Sequence, residues 1–264
     1  MKGANIILLA VVLAASLYSL YAAEKLPQVT HYEYSDARIK QPLKILAISD
    51  LHITKMIAPQ KVAAWVAQFN ALQPDVIVMP GDIADDKSED IRRHIMELKK
   101  LKAPHGIFYI VGNHEVDHDA VTWEAVFAGL GWQVLHNSGV SLPENGVYVG
   151  GLPDFGGFAV NIGQTLRNAA PDEYRILLAH QPVIAEKIGQ NPVDLLIAGH
   201  THGGQIFPFN VLVKMGNRGF VRGEYAIGNT KVLIANGAGY WGPPMRLAAP
   251  AEVMMIELKP TDKN

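Results

Sequence analysis

Five short apolar runs of this chain each stop at side chains that can bind a metal ion. In chain order these groups are Asp50-Leu51-His52, Gly81-Asp82, Gly112-Asn113-His114-Glu115, His180 and Gly199-His200-Thr201-His202. Imidazole nitrogens together with carboxylate and amide oxygens suit Mn, Fe or Zn, and the chain has no cysteine that could offer sulfur. The set therefore predicts a site for divalent metal ions, which can support hydrolytic chemistry.

Each group also has an ordinary structural explanation when it is taken singly. An Asp-x-His triplet often arises by chance, Gly81-Asp82 is a common strand-to-turn signal, and a histidine after an apolar run is often a hydrogen-bonded core residue. Two imidazoles one residue apart, His200 and His202, are rarely needed for packing. The ordered series, with every member directly after an apolar run, favours the metal site over these alternatives.

The elements that must position these side chains are visible in the apolar periodicity of the chain. Strands are predicted over Leu43–Ser49, Asp75–Pro80, Gly106–Gly112, Val147–Leu152, Arg175–His180, Asp194–His200, Tyr225–Gly228, Lys231–Ala235 and Glu252–Leu258, and helices over Pro59–Leu72, Ser88–Leu101 (with Ser88 as N-cap), Ala120–Leu130 and Pro182–Ile188. Alternation of strands and helices is typical of α/β folds with a largely parallel sheet. Because ligands bind outside the carboxyl ends of such strands, the polar groups should converge on one crevice.

Composition limits the class of protein and the division into domains. The 23 basic and 25 acidic residues leave a formal charge of −2, which argues against nucleic acid as a stable partner. A chain of 264 residues can bury a large core without disulfides. Residues 43–264 contain no evident linker or repeat and are predicted to form one domain. Residues 24–42 are mixed polar and charged, so a linker is predicted there.

The N-terminal segment is predicted to be a membrane anchor over residues 1–23. Ala4–Ala23 is apolar and uncharged, and 20 helical residues extend about 30 Å, enough to cross a bilayer. A cleaved signal peptide is the alternative, but Leu20 or Tyr21 would then occupy the −3 position, where a small residue is required. Lys2 before the segment weakly favours a single-pass protein in the cell membrane with its catalytic domain on the outer, periplasmic side.

The ordered motifs from Asp50 to His202 resemble those of the calcineurin-like metallophosphoesterase superfamily. Gly199–Pro208, with Gly-Asn-His-Glu upstream, is similar to the membrane-associated bacterial branch, which includes phosphodiesterases and UDP-2,3-diacylglucosamine pyrophosphatases of lipid A synthesis. The resemblance implies a metallophosphoesterase fold, in which helices flank a sandwich of two β-sheets. It also implies two divalent ions at the edge of the sheets.

The resemblance further implies a role for each matching residue. Asp50, His52 and His202 would hold the first ion, Asn113, His180 and His200 the second, and Asp82 would bridge both. His114 would be the catalytic histidine, oriented by Glu115 at a position where many members have Asp. Arg246, in a Gly- and Pro-rich segment, is a candidate substrate contact, with a surface arginine as the alternative.

These features predict a phosphodiesterase or pyrophosphatase that acts on a phosphoester, with a lipid-linked ester such as UDP-2,3-diacylglucosamine as one candidate. A hydroxide that bridges two divalent ions would be the nucleophile. The candidates for an apolar groove are Leu152–Phe158, Ile206–Phe209, Tyr240 and Trp241, although core or rim packing would explain them equally well. The alternatives are a phosphomonoesterase or protein phosphatase, and a non-catalytic metal-binding scaffold. Four acidic residues follow the motifs, Asp85, Asp86, Asp117 and Asp119. They are interpreted as solvated loop charges, with support of the metal ligands as the alternative.

Overall fold

The computed structural model of the protein describes residues 2–261. Met1 and residues 262–264, the outermost parts of the predicted anchor and domain, lie outside the described residues. The strands are β1 (Gln28–Asp36), β2 (Leu43–Ala47), β3 (Val76–Pro80), β4 (Ile107–Ile110), β5 (Gln133–Val134), β6 (Ser138–Leu142), β7 (Val147–Gly151), β8 (Tyr174–Leu178), β9 (Leu195–Ala198), β10 (Gly223–Ile227), β11 (Thr230–Ile234) and β12 (Glu252–Pro260).

The helices lie before, between and after these strands. They are α1 (Lys2–Glu24), α2 (Pro59–Ala71), α3 (Ser88–Ile95), α4 (Asn113–Asp117), α5 (Ala120–Gly129), α6 (Ile162–Leu166) and α7 (Asn210–Gly216), with 3₁₀ turns at Met96–Lys100, Pro182–Lys187 and His202–Gly204. The predicted helix from Ser88 thus ends early and continues as a 3₁₀ turn, and Lys87 rather than Ser88 is its N-cap.

Two mixed six-stranded sheets pack face to face, which confirms the predicted two-sheet sandwich. The first has the order β1-β12-β2-β3-β4-β5 and the second β10-β11-β9-β8-β7-β6. Ile45 and Val78 of the first sheet pack in one core with Ile176 and Ile197 of the second. The central strands are apolar on both faces, because each sheet is also covered by helices on its outer face.

The predicted linker over residues 24–42 requires correction, because most of it is a strand. β1 pairs in parallel with β12 along its whole length, from Gln28 opposite Glu252 to Asp36 opposite Pro260. Its exposure alternates along Tyr32–Asp36, as expected for an edge strand with one covered face. The polar residues on the open face hide this strand in a sequence pattern, and its partner lies more than 200 residues away in the chain.

Helix α1 is long and apolar enough to cross a membrane over Asn5–Glu24, a test that a signal sequence would also pass. Its last turns contact the domain through a face of small residues, on which Ser19 and Ala23 are buried. The Ser19 carbonyl accepts a hydrogen bond from the Arg246 amide at 2.9 Å, and the Ala23 carbonyl accepts one from the Lys61 ammonium at 3.0 Å. The end of α1 is therefore attached to the domain by these polar contacts.

Candidate metal centre

The first cluster of potential ligands consists of Asp50 and His52, which follow β2, and His202, which follows β9. All three side chains are buried. The Nε2 atoms of His52 and His202 are 2.9 Å apart, and Asp50 Oδ1 lies 3.5 Å from His202 Nε2. One ligand atom from each residue lies within 4.8 Å of the others, which is a spacing that one ion can span.

The second cluster consists of Asp82 after β3, Asn113 at the start of α4, His180 after β8 and His200 after β9. His180 Nε2 lies 3.0 Å from Asp82 Oδ2. Asn113 Oδ1 lies 3.0 Å from His180 Nε2 and 2.9 Å from His200 Nδ1. The carboxyl ends of strands from both sheets thus place these side chains in the same small volume.

Asp82 stands between the two clusters. Its Oδ2 atom is 3.0 Å from His180 Nε2 and 3.6 Å from His52 Nε2. A carboxylate in this position can contact two ions at once. The structure therefore brings together all seven side chains that the sequence predicts as metal ligands, with Asp82 in the middle.

The donor set fits divalent ions on three observations. Asp50 Oδ2 is buried and has no hydrogen-bond partner. The outer nitrogens of two histidines already have partners, since His180 Nδ1 donates to the Pro80 carbonyl at 2.8 Å and His52 Nδ1 lies 3.1 Å from Asp85 Oδ2. Such contacts fix the ring and aim Nε2 at the ion in metalloproteins. The third observation is that the Nε2 atoms of His52 and His202 face each other at 2.9 Å. At most one of them can carry a proton, so the other has a free lone pair that can bind an ion.

The titration of the cluster points the same way. Burial lowers the pKa of His200 to about 3 and that of His202 well below its ordinary value, so both imidazoles are neutral, as metal ligands must be. Burial would also lower the pKa of His180, but the carboxylates of Asp82 and Asp50 outweigh it and raise that pKa to about 10. Without an ion, His180 thus carries a proton that Asp82 and Asp50 stabilise, and a bound cation would have to replace that proton.

Backbone strain is concentrated at these candidate ligands. Asp50, His52, Asp82, His200 and His202 all have φ between 43° and 72°, the left-handed region that side chains other than glycine rarely adopt. Each such residue costs about 1–3 kcal/mol, and such strain is concentrated at functional sites. The strained turns aim the side chains into one volume directly after the strands end.

Two glycines allow the loops to approach each other closely. A Cβ atom at Gly112 would collide with the Asp82 carboxylate, and one at Gly199 would collide with the Asp50 carboxylate and Ser49. Any side chain at either position would therefore displace a predicted metal ligand. The sequence already indicates this role, because glycines before Asp82, Asn113 and His200 let the backbone turn sharply and approach closely.

His114 lies beside the cluster but is oriented by a different acid from the one expected. Its Nδ1 atom is 2.6 Å from Asp85 Oδ1, and its amide donates to Asp82 Oδ1 at 2.9 Å. Burial would lower the pKa of His114, but the contact with Asp85 and the charge of Asp82 raise it above its ordinary value. The interpretation of Asp85 as a solvated loop charge is therefore wrong. Its position three residues after Asp82 is the sequence feature that could have indicated a place beside the metal-binding residues.

Glu115 has a structural role that its motif does not reveal. Its Oε1 accepts hydrogen bonds from the amides of Ile83 at 2.6 Å and Ala84 at 2.9 Å, and its Oε2 accepts from Asp82 at 3.0 Å and Gly112 at 2.8 Å. Burial and the nearby Asp82 charge raise its pKa to about 7. The side chain binds the loops after β3 and β4 together rather than contacting His114.

Arg246 is buried beneath the site, not at a surface that substrate could reach. Its guanidinium donates to the carbonyls of Gly239, Ala249, Asn236 and Gly237 at 2.7 to 3.0 Å. Its Nη2 atom lies 3.3 Å from His202 Nδ1. The geometry thus contradicts the expected substrate contact, and the arginine instead braces the loop that carries Gly237 behind Asp50 and His202.

A cavity of about 450 Å³ opens over the clusters. Its polar side is formed by Asp82, Asn113, His114, His200 and His202, and its other side is largely apolar, with Ile206, Phe209, Leu212, Trp241 and Pro243. The Trp241 and His114 rings are 6.2 Å apart, centre to centre. The cavity is therefore polar on the side of the two clusters and apolar on the opposite side.

The fold and the site together define a class, the phosphoesterases with two helix-flanked β-sheets and a metal-binding edge. A family model described as calcineurin-like phosphoesterase matches residues 43–204. An uncharacterized metallophosphoesterase of Campylobacter jejuni is 32% identical over 92% of this chain and 67% of its own length. A bovine transmembrane protein with metallophosphoesterase domain is 32% identical over 92% of this chain and 60% of its own length.

A solved dimetal phosphatase of Danio rerio has the same fold, with a TM-score of 0.51 at 12% identity, over 76% of this chain and 89% of that one. The chain belongs to the calcineurin-like phosphoesterase family, which confirms the predicted resemblance. The family and the names of the relatives indicate a phosphoesterase hydrolase. The chain spans about 60 to 67% of the length of the two relatives described above.

Proposed function

We propose that the protein is a dinuclear metal-dependent hydrolase of phosphodiesters or pyrophosphates. Asp50, His52, Asp82 and His202 would hold one divalent ion (Mn, Fe or Zn), and Asp82, Asn113, His180 and His200 the other. The central place of the Asp82 carboxylate, 3.0 Å from His180 and 3.6 Å from His52, is the observation that carries this proposal.

Two bound divalent ions would supply Lewis acidity and lower the pKa of a coordinated water towards neutrality. The protein's own residues have three further tasks. Asp50 and Asp82 place two negative charges among the ligands, which leaves a site with two divalent ions net positive and attractive to a phosphoryl group. Asn113 contributes a neutral oxygen and cancels none of that charge. The contact of His114 Nδ1 with Asp85 leaves its Nε2 to give a proton to the leaving oxygen.

A lipid-linked substrate such as UDP-2,3-diacylglucosamine is the finer proposal. The apolar wall of the cavity and the attached helix α1 both support it. In the same proposal, α1 stays uncleaved as a single membrane span, and the domain lies on the outer side of the cell membrane. The bovine relative's printed description as a transmembrane protein supports the membrane location but not the side.

Metal analysis combined with a substrate panel tests the proposed function. The full chain in detergent, loaded with Mn²⁺, should bind two ions and hydrolyse bis-p-nitrophenyl phosphate and UDP-2,3-diacylglucosamine faster than the monoester p-nitrophenyl phosphate. Asp82→Asn should remove activity and lower the metal content. Asp117→Asn, which alters an exposed carboxylate in α4, is the matched control and should change neither.

The panel also separates the competing functions. Preference for the monoester would favour a phosphomonoesterase or protein phosphatase. Two bound ions without hydrolysis of any substrate would favour a metal-binding scaffold. Unchanged metal content in Asp82→Asn would contradict the ligand assignment itself.

A further inference from the structure

An exposed apolar surface borders the mouth of the cavity. We call it the apolar rim and define it by six side chains, each more than half exposed: Phe207 (57%), Phe209 (57%), Val211 (53%), Leu212 (62%), Met215 (75%) and Trp241 (53%). The first five lie on or just before α7, and Trp241 lies on the loop that follows β11. Contiguous exposed apolar residues of this kind mark an interaction surface in a soluble domain.

Backbone hydrogen bonds connect the apolar rim to the end of α1. The Arg246 amide donates to Ser19 of α1, and the neighbouring Leu247 amide donates to the Gln205 carbonyl at 2.9 Å. The Phe207 amide returns a bond to the Leu247 carbonyl at 3.0 Å, and the Gln205 side chain donates to the Trp241 carbonyl at 2.7 Å. The rim therefore has a fixed position relative to the C-terminal end of the apolar helix.

The depth of these contacts along α1 places the rim near a bilayer. Ser19 is five residues before Glu24, the last residue of the apolar span, so the contact lies about 7.5 Å inside that end. Surfaces that lie on a membrane bury their apolar face by about 5–10 Å. If α1 spans the bilayer, the domain surface that touches Ser19 is already at interfacial depth.

The charge of the surrounding segment fits the same partner. Residues 205–223 include Lys214, Arg218 and Arg222 and no acidic residue. Arg218 forms an ion pair with Glu186 at 3.4 Å, so Lys214 and Arg222 carry the remaining positive charge. Basic side chains beside an exposed apolar helix face are typical of surfaces that contact phospholipid headgroups. Trp241 adds the aromatic type that is enriched at the membrane–water interface.

We propose that the apolar rim inserts into the same leaflet that receives the C-terminal end of α1. The mouth of the cavity would then open at the headgroup layer, and an amphiphilic phosphoester would reach the metal-binding residues without leaving the membrane. This inference rests on the proposed membrane span of α1 and is independent of whether the protein is catalytic.

Tryptophan fluorescence offers a direct test, because Trp65, Trp123 and Trp132 are buried in the domain core while Trp241 is exposed. The full chain is reconstituted in vesicles of phosphatidylcholine, with or without bromine atoms on the acyl chains. Bromine should quench the part of the emission that Trp241→Phe removes and leave the core emission unchanged. A Trp241 emission that is insensitive to the brominated lipid but quenched by aqueous acrylamide would overturn the proposal.

A pair of methionines provides the matched variants. Met215→Asp should remove at least half of the quenching of Trp241, whereas Met215→Leu should retain it. Met96→Asp is the control, because it places the same charge at an exposed methionine outside the apolar rim. Met96 begins the 3₁₀ turn that ends at Lys100, whose carbonyl accepts a hydrogen bond from the Asn70 side chain near the C-terminal end of α2. This variant should retain the quenching of Trp241. Equal quenching in both aspartate variants would contradict the proposal. Intact core emission and hydrolysis of bis-p-nitrophenyl phosphate by Met215→Asp would show that the domain is folded.

Discussion

Asp85→Asn is the substitution that most directly tests the proposed role of His114. The contact between Asp85 Oδ1 and His114 Nδ1 measures 2.6 Å, and a hydrogen bond to a charged group is worth about 1.5–3 kcal/mol. At 1.36 kcal/mol for each factor of ten, its loss should lower kcat by about 10- to 150-fold for an ester whose leaving group needs a proton.

The pH dependence has a defined sign. Asp85 raises the pKa of His114, and a general acid must be protonated, so activity should fall as the pH rises through that pKa. Removal of the Asp85 charge lowers the pKa of His114 and should move the alkaline limb of the kcat profile to lower pH. The assay compares an alkyl phosphodiester with bis-p-nitrophenyl phosphate, whose good leaving group should make it much less sensitive.

Asp85 also lies 3.1 Å from His52, so a loss of metal must be distinguished from a loss of proton transfer. In a His114→Ala background, Asp85→Asn should cause little further loss for the alkyl diester, because neighbours that act as a unit are not additive. Asp86→Asn alters the adjacent carboxylate, which accepts the Lys55 amide instead, and should leave kcat unchanged. Additive losses, or an equal loss with both esters, would refute the reasoning.

Two further predictions concern residues that support the site without facing substrate. Glu115→Gln places an amide N–H₂ against two backbone donors, so it should lower the free energy of unfolding by about 2–6 kcal/mol, measured by thermal melts of the full chain in detergent. Glu173→Gln, at a carboxylate with one amide donor, is the matched control. Arg246→Lys should lower the melting temperature and the metal affinity together, because one ammonium cannot reach four carbonyls that lie around a planar guanidinium. An unchanged metal titration in Arg246→Lys would contradict its placement behind His202.

The convergence of the candidate ligands could be predicted from the sequence because its signal is local. Each ligand follows an apolar run directly, and the rule that strand ends share one edge brings the runs together without knowledge of the loops. The left-handed turns at Asp50, Asp82 and His202 could not be foreseen, because they depend on packing between loops from different strands.

The roles of Glu115 and Asp85 could be assigned only once the folded loops were known. Glu115 is adjacent to His114 in sequence, yet the first turn of α4 directs it inward to four amides. Asp85 contacts the His114 ring although 28 residues separate them in the chain. Strand β1 was missed because its partner strand lies more than 200 residues away in the chain. Arg246 was placed at a surface because its residue type alone predicts exposure, although carbonyls 3 to 10 residues away in the folded loop surround its guanidinium.

The two sheets share the metal-binding edge in a way that has a mechanical consequence. Asp50, His52, Asp82 and Asn113 follow strands of the first sheet, whereas His180, His200 and His202 follow strands of the second. Each ion in the proposed arrangement would therefore take ligands from both halves of the chain and cross-link the two sheets. Removal of the ions would then weaken the cohesion between the two sheets as well as stop the reaction.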